Sequence, residues 1–393
     1  MTAPAAAETP PATARPAPLW AAAGGWRGAG VAVGLYAATR LVQLLFVDWL
    51  GADERGGVRE RLLIWDAGWF LRIVTDGYPA GFSYGANGAV EGSSLAFFPL
   101  YPYTVKAVTV LTGLGPENAA LVVSWLAGAA AAVALHLLGT TLYGRRAGWA
   151  LVVLCCAQPL SVVLSMAYSE ALFLALVAGM LVAAHRRVWW AAGLLGLGAA
   201  LTRPTGAAAA VALAVAVALI WREAGRAERW QAGAAAVAAL AGVPLFLGWV
   251  ALRAGSPDAW FTIQTAGWGT SFDAGASTLR FLGGALGGGD GFVPITVAFL
   301  LLLATVLMVV ALRTRPWLPL AVYGVLAFVL VVGQAGFYHS KPRLLLPVLL
   351  VLVPPVLAAA RARPRVAAWA LTAYSLVGLW YGAYMLDVWP YTI

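Results

Sequence analysis

Arg61-Leu62-Leu63-Ile64-Trp65-Asp66-Ala67-Gly68-Trp69-Phe70-Leu71-Arg72-Ile73-Val74 is the stretch on which the reading of this chain turns. It follows an apolar run long enough to cross a bilayer, yet it is too charged to cross one itself. Its apolar residues recur at Leu62, Trp65/Trp69 and Ile73, near the period of a helix. The spacing predicts an amphipathic helix lying in the membrane interface. A carboxylate set between two tryptophans, in a chain made mostly of hydrocarbon, implies a chemical or binding duty.

The rest of the chain is that hydrocarbon. Of 393 residues 62% are hydrophobic and 10% charged, with a mean hydropathy of +0.83. A soluble domain carries about 25% charge. Apolar runs fall at 28–48, 119–142, 147–164, 168–184, 188–201, 204–221, 231–252, 292–312, 316–334, 342–359 and 365–386. The expected fold is therefore an all-α polytopic membrane protein with about 11 transmembrane helices, each needing about 20 residues to cross roughly 30 Å. The run 188–201 is short for a crossing and ends at Thr202-Arg203-Pro204, as half of a broken or tilted element would. The sequence shows no internal repeat.

Residues 1–27, rich in Ala, Pro and Thr, read as a disordered cytoplasmic tail, and residues 28–393 as a single transmembrane domain. The first apolar run starts too late for a cleaved signal peptide and reads as a signal anchor. With the N-terminus inside, the cytoplasmic segments hold 14 Arg and 3 acids, and the other face holds 10 Lys/Arg and 13 acids. The basic bias supports this orientation. It makes 49–118 and 253–291 long non-cytoplasmic segments, the first carrying a second apolar stretch at Leu95–Leu111. The net charge of +9 comes from scattered Arg at loop ends, which orient helices and do not form a nucleic-acid stripe. The scarcity of Lys beside an Ala/Gly load is the mark of a GC-rich bacterial genome, so the membrane is expected to be the plasma membrane.

Four short blocks then resemble one family in its own order. Trp65-Asp66-Ala67-Gly68-Trp69-Phe70 with Ile73 and Asp76-Gly77-Tyr78 is similar to the WD block of the GPI mannosyltransferase II (PIG-V-type) family. Ala96-Phe97-Phe98-Pro99-Leu100-Tyr101-Pro102, Tyr168-Ser169-Glu170-Ala171-Leu172-Phe173 and Thr202-Arg203-Pro204-Thr205-Gly206 resemble its later blocks, with Thr205 where Asn is common. The resemblance implies a GT-C fold and a catalytic acid in the first non-cytoplasmic loop, 49–118. It also implies a polyprenyl-phosphate-linked sugar donor and inverting transfer without a nucleotide sugar. The acceptor, a GPI precursor in eukaryotes, does not carry over to a bacterial chain.

Such a transfer needs a base at the acceptor hydroxyl, positive charge for the departing phosphate and a surface for sugar and lipid. Asp66 is the candidate general base. Asp76 is the competing acid, although Asp76-Gly77 also suits a helix end. Trp65, Trp69, Tyr78, Tyr101 and Tyr168 are candidate substrate contacts, and Arg72 a nearby charge; interfacial anchoring is the alternative for the aromatics. Glu170 reads as a site carboxylate, the partner of Arg203, or an acid at a helix start with Ser169 as its cap. Arg203 lies between apolar runs, where an unpaired charge costs about 2.5–3.5 kcal/mol. His339, Lys341 and Arg343 form a basic segment suited to a leaving phosphate. Gln264 and Trp268 are candidate contacts to an acceptor sugar.

His136 and His185 stand apart from other ligand types, and the sequence holds no DxD, zinc set or serine triad. No cofactor or metal is called for. The expected partners are a polyprenyl-phosphate sugar, a lipid or glycolipid acceptor and membrane lipids, and no nucleic acid. A polytopic transporter or lipid flippase is the competing class. Transporters place site charges at the midplane of repeated, broken helices, whereas here the acids crowd one face.

Overall fold

A computed structural model describes residues 19–51, 56–289 and 291–392. Its named elements among the described residues are helices and one two-stranded hairpin, β1 (Ser83–Tyr84) and β2 (Val90–Glu91). After the short α1 (Leu19–Ala22), α2 (Gly25–Leu50) leads into the first inter-span segment. That segment holds α3 (Val58–Arg61), α4 (Asp66–Thr75), the hairpin and α5 (Leu100–Thr112). The middle of the chain runs through α6 (Pro116–Tyr143), α7 (Arg145–Cys156), α8 (Glu170–His185), α9 (Trp189–Ala200), α10 (Gly206–Ile220) and α11 (Arg226–Ala254). The second inter-span segment contributes α12 (Ala259–Trp268) and α13 (Ala276–Gly287). The C-terminal part is α14 (Phe292–Arg313), α15 (Leu318–Val332), α16 (Lys341–Leu344), α17 (Val353–Arg361) and α18 (Pro364–Asp387).

Each of the 11 apolar runs contains helix, but only five helices among the described residues are long and apolar enough to cross a bilayer: α2, α6, α11, α14 and α18. The pair Tyr338–Leu344 and Leu349–Arg361, bent by 73°, makes a sixth if it counts as one broken span. The expected count of about 11 crossings therefore counts apolar runs. The run 147–164 stops being α-helical at Cys156. The runs 188–201 and 204–221 give α9 and α10, of 12 and 15 residues. At 1.5 Å per residue these are about 18 and 23 Å long, short of the roughly 30 Å of hydrocarbon.

Most of the expected tail, residues 1–18, lies outside the described residues. Its remainder is partly helical, because α1 is a helix and α2 begins at Gly25, before the expected boundary. The expected continuous amphipathic helix over 61–74 is also broken, and the cause is specific. In an unbroken helix the Asp66 N–H would donate to the Leu62 carbonyl, four residues back. Instead the Ala167 N–H donates to Leu62 O (3.0 Å), and the Asp66 N–H donates to Tyr168 Oη (3.2 Å). The chain turns at Trp65, whose φ of +58° is unusual for a bulky residue. Helix α4 starts only at Asp66.

The core is built by close approach of small residues, as in membrane bundles generally. Helix α9 packs on α11, α6 on α7 and α8, α10 between α11 and α15, and α2 against α18. At Gly193 a Cβ would stand 2.8 Å from Ala235 Cα on α11. At Gly206, just after Arg203, it would stand 2.4 Å from the Ala199 carbonyl oxygen. The second contact seals the tight turn between α9 and α10 that presents Arg203.

A bulky residue at Gly193 must push α9 off α11. Overpacking of this kind costs about 1–3 kcal/mol, so Gly193→Leu is expected to lower the thermal midpoint of the detergent-solubilised protein. An unchanged midpoint would show that the two helices do not meet there.

Candidate functional site

The hydrogen bonds that break the first helix also build the site. Tyr101 on α5 is fully buried, and its hydroxyl lies 2.8 Å from Ser124 Oγ on α6. Ser124 donates to the Tyr168 carbonyl (3.2 Å), and the Tyr168 hydroxyl accepts the Asp66 N–H. The Leu100 N–H donates to Leu201 O (2.9 Å), which ties the start of α5 to the end of α9.

Charge completes the assembly. Arg343 Nη1 lies 2.9 Å from Asp66 Oδ2, and its guanidinium covers the Tyr168 ring at 5.3 Å. Arg343 Nε is 3.5 Å from Glu170 Oε1, and Arg203 Nη1 is 2.8 Å from the same oxygen. Arg203 also donates to Ser169 Oγ (3.0 Å). Ser169 therefore takes up Arg203 and does not cap α8, whose N-cap carries no side-chain hydrogen bond.

These groups face a cleft of about 180 Å³. Its lining includes the charged residues Asp66, Arg203, Lys341 and Arg343. It also includes Phe97, Trp260, Gln264 and Trp268. Trp260 Nε1 and Gln264 Nε2 both donate to the Ala96 carbonyl at 3.2 Å. Trp69 packs against two of these, stacked on Phe97 (6.0 Å) and edge-on to Trp268 (5.6 Å). The segment 337–343 is not an exposed loop, since His339, Ser340, Lys341 and Arg343 are all buried. Lys341 Nζ donates to Val331 O (3.0 Å) and Gln334 O (2.5 Å), capping the end of α15.

Six of the residues expected from sequence line the cleft: Asp66, Arg203, Gln264, Trp268, Lys341 and Arg343. Glu170, Tyr101, Tyr168 and Trp69 stand behind it, and Trp65 forms the turn before Asp66. Four others are placed elsewhere. Asp76 is exposed at the end of α4, where the turn reading put it. Arg72 is exposed and lies over the Trp69 ring at 4.9 Å. Tyr78 is buried and donates to Phe97 O (2.7 Å). The His339 ring packs among Phe337, Tyr338, Trp389 and Tyr391. Trp260 and Ser124 escaped the sequence reading. Trp260, Gln264 and Trp268 recur every four residues on one helix face, a spacing that was readable; Ser124 gave no such signal.

No family model matches the chain. A curated relative, GPI alpha-1,6-mannosyltransferase 2 of Cricetulus griseus, is 33% identical over 171 residues, 41% of this chain and 31% of the relative. Its Rattus norvegicus counterpart is 35% identical over 181 residues, 44% and 34% of the two chains. The match thus spans about a third of those relatives' length. Among solved structures, ArnT from Cupriavidus metallidurans bound to undecaprenyl phosphate superposes with a TM-score of 0.52 at 17% identity, over 91% of this chain and 75% of that one. The Archaeoglobus fulgidus oligosaccharyltransferase in the apo form gives 0.51 at 14% identity, over 91% and 55%. The chain is thus similar in sequence to part of a GPI mannosyltransferase, and it shares the overall fold of ArnT and of the archaeal oligosaccharyltransferase. With its long apolar helices, it is also a multi-pass membrane protein.

Arg343 is the charge that joins the first inter-span segment to α8. Removing one partner of a buried ion pair costs about 3–5 kcal/mol. Because Arg203 still faces Glu170, Arg343→Met is expected at or below the low end of that range, read as a loss of thermal or denaturant stability in detergent. A variant as stable as the parent would show that the cluster does not hold these segments together.

Proposed function

We propose that this chain is a membrane-embedded inverting glycosyltransferase. It moves a mannosyl or related residue from a polyprenyl-phosphate donor to a lipid or glycolipid acceptor, with Asp66 as general base. The observation that carries this reading is the cleft itself. Its lining brings one carboxylate together with three cations and a set of aromatic and amide groups. Asp66 and Glu170 together leave Arg203, Lys341 and Arg343 with a net charge of +1, which favours an anion. The sequence likeness to a mannosyltransferase supports the sugar, and the undecaprenyl phosphate bound to ArnT supports the donor class.

In this reading the donor phosphate lies against Arg203, Lys341 and Arg343, and its sugar against Trp260, Gln264 and Trp268. With its Nε2 donated to Ala96 O, Gln264 presents its carbonyl oxygen to a sugar hydroxyl. The acceptor hydroxyl approaches Asp66. Its oxygen forms the new bond to the anomeric carbon while its proton passes to the Asp66 carboxylate. The bond from that carbon to the phosphate oxygen breaks, and its electron pair leaves with the polyprenyl phosphate. Fixed cations that meet this developing charge need not reorganise during the step. The basic bias of the other face supports a non-cytoplasmic site in a plasma membrane, within a single transmembrane domain; Asp66, Phe97, Trp260, Gln264 and Trp268, from the two long inter-span segments, line the cleft.

The test is transfer by the purified protein from polyprenyl-phosphomannose to a membrane lipid extract, in detergent and without a gradient. Removing a general base typically costs about 10²–10⁴-fold, so Asp66→Asn is expected to lose activity on that scale while remaining folded. Full product formation by the variant would sink the base assignment, and no transfer by the parent would sink the enzyme reading.

A further inference from the structure

Glu170 is 2% exposed and is absent from the cleft wall, yet both guanidiniums that it contacts are in that wall. Its contacts to Arg203 (2.8 Å) and Arg343 (3.5 Å) converge on Oε1. Neither Glu170 oxygen has a hydrogen-bond partner among the described residues. A buried carboxylate held by charge alone is a poor stabiliser, because its desolvation is not offset by directed hydrogen bonds. Its geometry suits another task. It stands at the Nε edge of Arg343, whose Nη1 reaches Asp66, and at the Nη1 of Arg203.

Building on the transferase reading above, we infer that Glu170 is a positioning residue that fixes Arg203 and Arg343 for the donor phosphate and shares Arg343 with Asp66. Without its charge, Asp66 becomes the sole counter-charge of Arg343 and draws the guanidinium onto itself. Arg203 is left with Ser169 alone. The net charge of the five groups meanwhile rises from +1 to +2. The two consequences have opposite signs for the two stages of reaction. A phosphate is still attracted, but the cations and the base no longer meet it in register. Misplacement near 1 Å costs transfer on the order of 100-fold.

The experiment measures Glu170→Gln and Glu170→Asp beside the parent, as full-length protein in detergent with thermal unfolding as the folding control. Binding of a short polyprenyl phosphate is followed by tryptophan fluorescence, and transfer by steady-state kinetics. For Glu170→Gln we expect kcat to fall about 10–100-fold, with phosphate affinity kept within about twofold or tightened. Glu170→Asp, which keeps the charge, is expected to recover much of the kcat. A fall of affinity and kcat together, in step with lost folded protein, overturns the positioning role in favour of a structural one. Unchanged kinetics in Glu170→Gln overturns it outright while the parent's transfer stands. A parent that neither binds the phosphate nor transfers overturns the transferase reading, and this proposal with it.

Discussion

The ion cluster of Asp66, Arg343, Glu170 and Arg203 is the constraint around which this molecule is arranged. Its four members come from α4, α16, α8 and the α9–α10 turn, separated by up to 277 positions in the sequence. Glu170 and Arg343 are buried, and a buried charge is not tolerable alone. Each segment is therefore held in place partly by the need to satisfy the others. The hydrogen bonds of Tyr168 and Ser124 work to the same end by neutral means. With the Ala167 N–H, which donates to the Leu62 carbonyl, they draw the backbone of Leu62 and Asp66 out of a regular helix and fasten it to the segment before α8.

Much of this was readable from the sequence, for a physical reason. Charges and polar aromatics are rare in such a chain, so each one that persists marks a place where something meets it. Arg203 stood out between apolar runs, Glu170 was read as a site carboxylate, its partner or a helix-start acid, and the two lie 2.8 Å apart. Asp66, Gln264, Trp268, Lys341 and Arg343 were visible on the same grounds. The break at residues 62–65 was not visible, because the groups that intercept the helical bond lie about 100 residues away. The number of crossings is not fixed by hydropathy for a related reason. Hydropathy reports that a run prefers lipid or protein to water, and it cannot separate a full span from a short helix buried among others. His339 was grouped with Lys341 and Arg343 by proximity in sequence, whereas the short 3₁₀ turn at Tyr338–Ser340 sends its ring to a different set of neighbours.

The short helices have their own logic. Helices α9 and α10 end near the cleft because the turn between them must deliver Arg203 there, and Gly206 makes that turn tight enough. The bent pair at 338–361 does the same for Lys341 and Arg343. A backbone that stops within the bundle exposes polar groups to a protein-lined space, which a membrane protein tolerates only where a site or a neighbour satisfies them.

Lys341 shows how finely such satisfaction limits what a site can offer. An ammonium has three protons to give. Two are committed to Val331 O and Gln334 O at the end of α15. The third is the one available to the cleft, and its direction follows from the other two by tetrahedral geometry. The side chain thus behaves less like a flexible point charge than like a single aimed donor. A ligand oxygen meets it along one line, so the end of α15 sets the angle at which this wall of the cleft is approached.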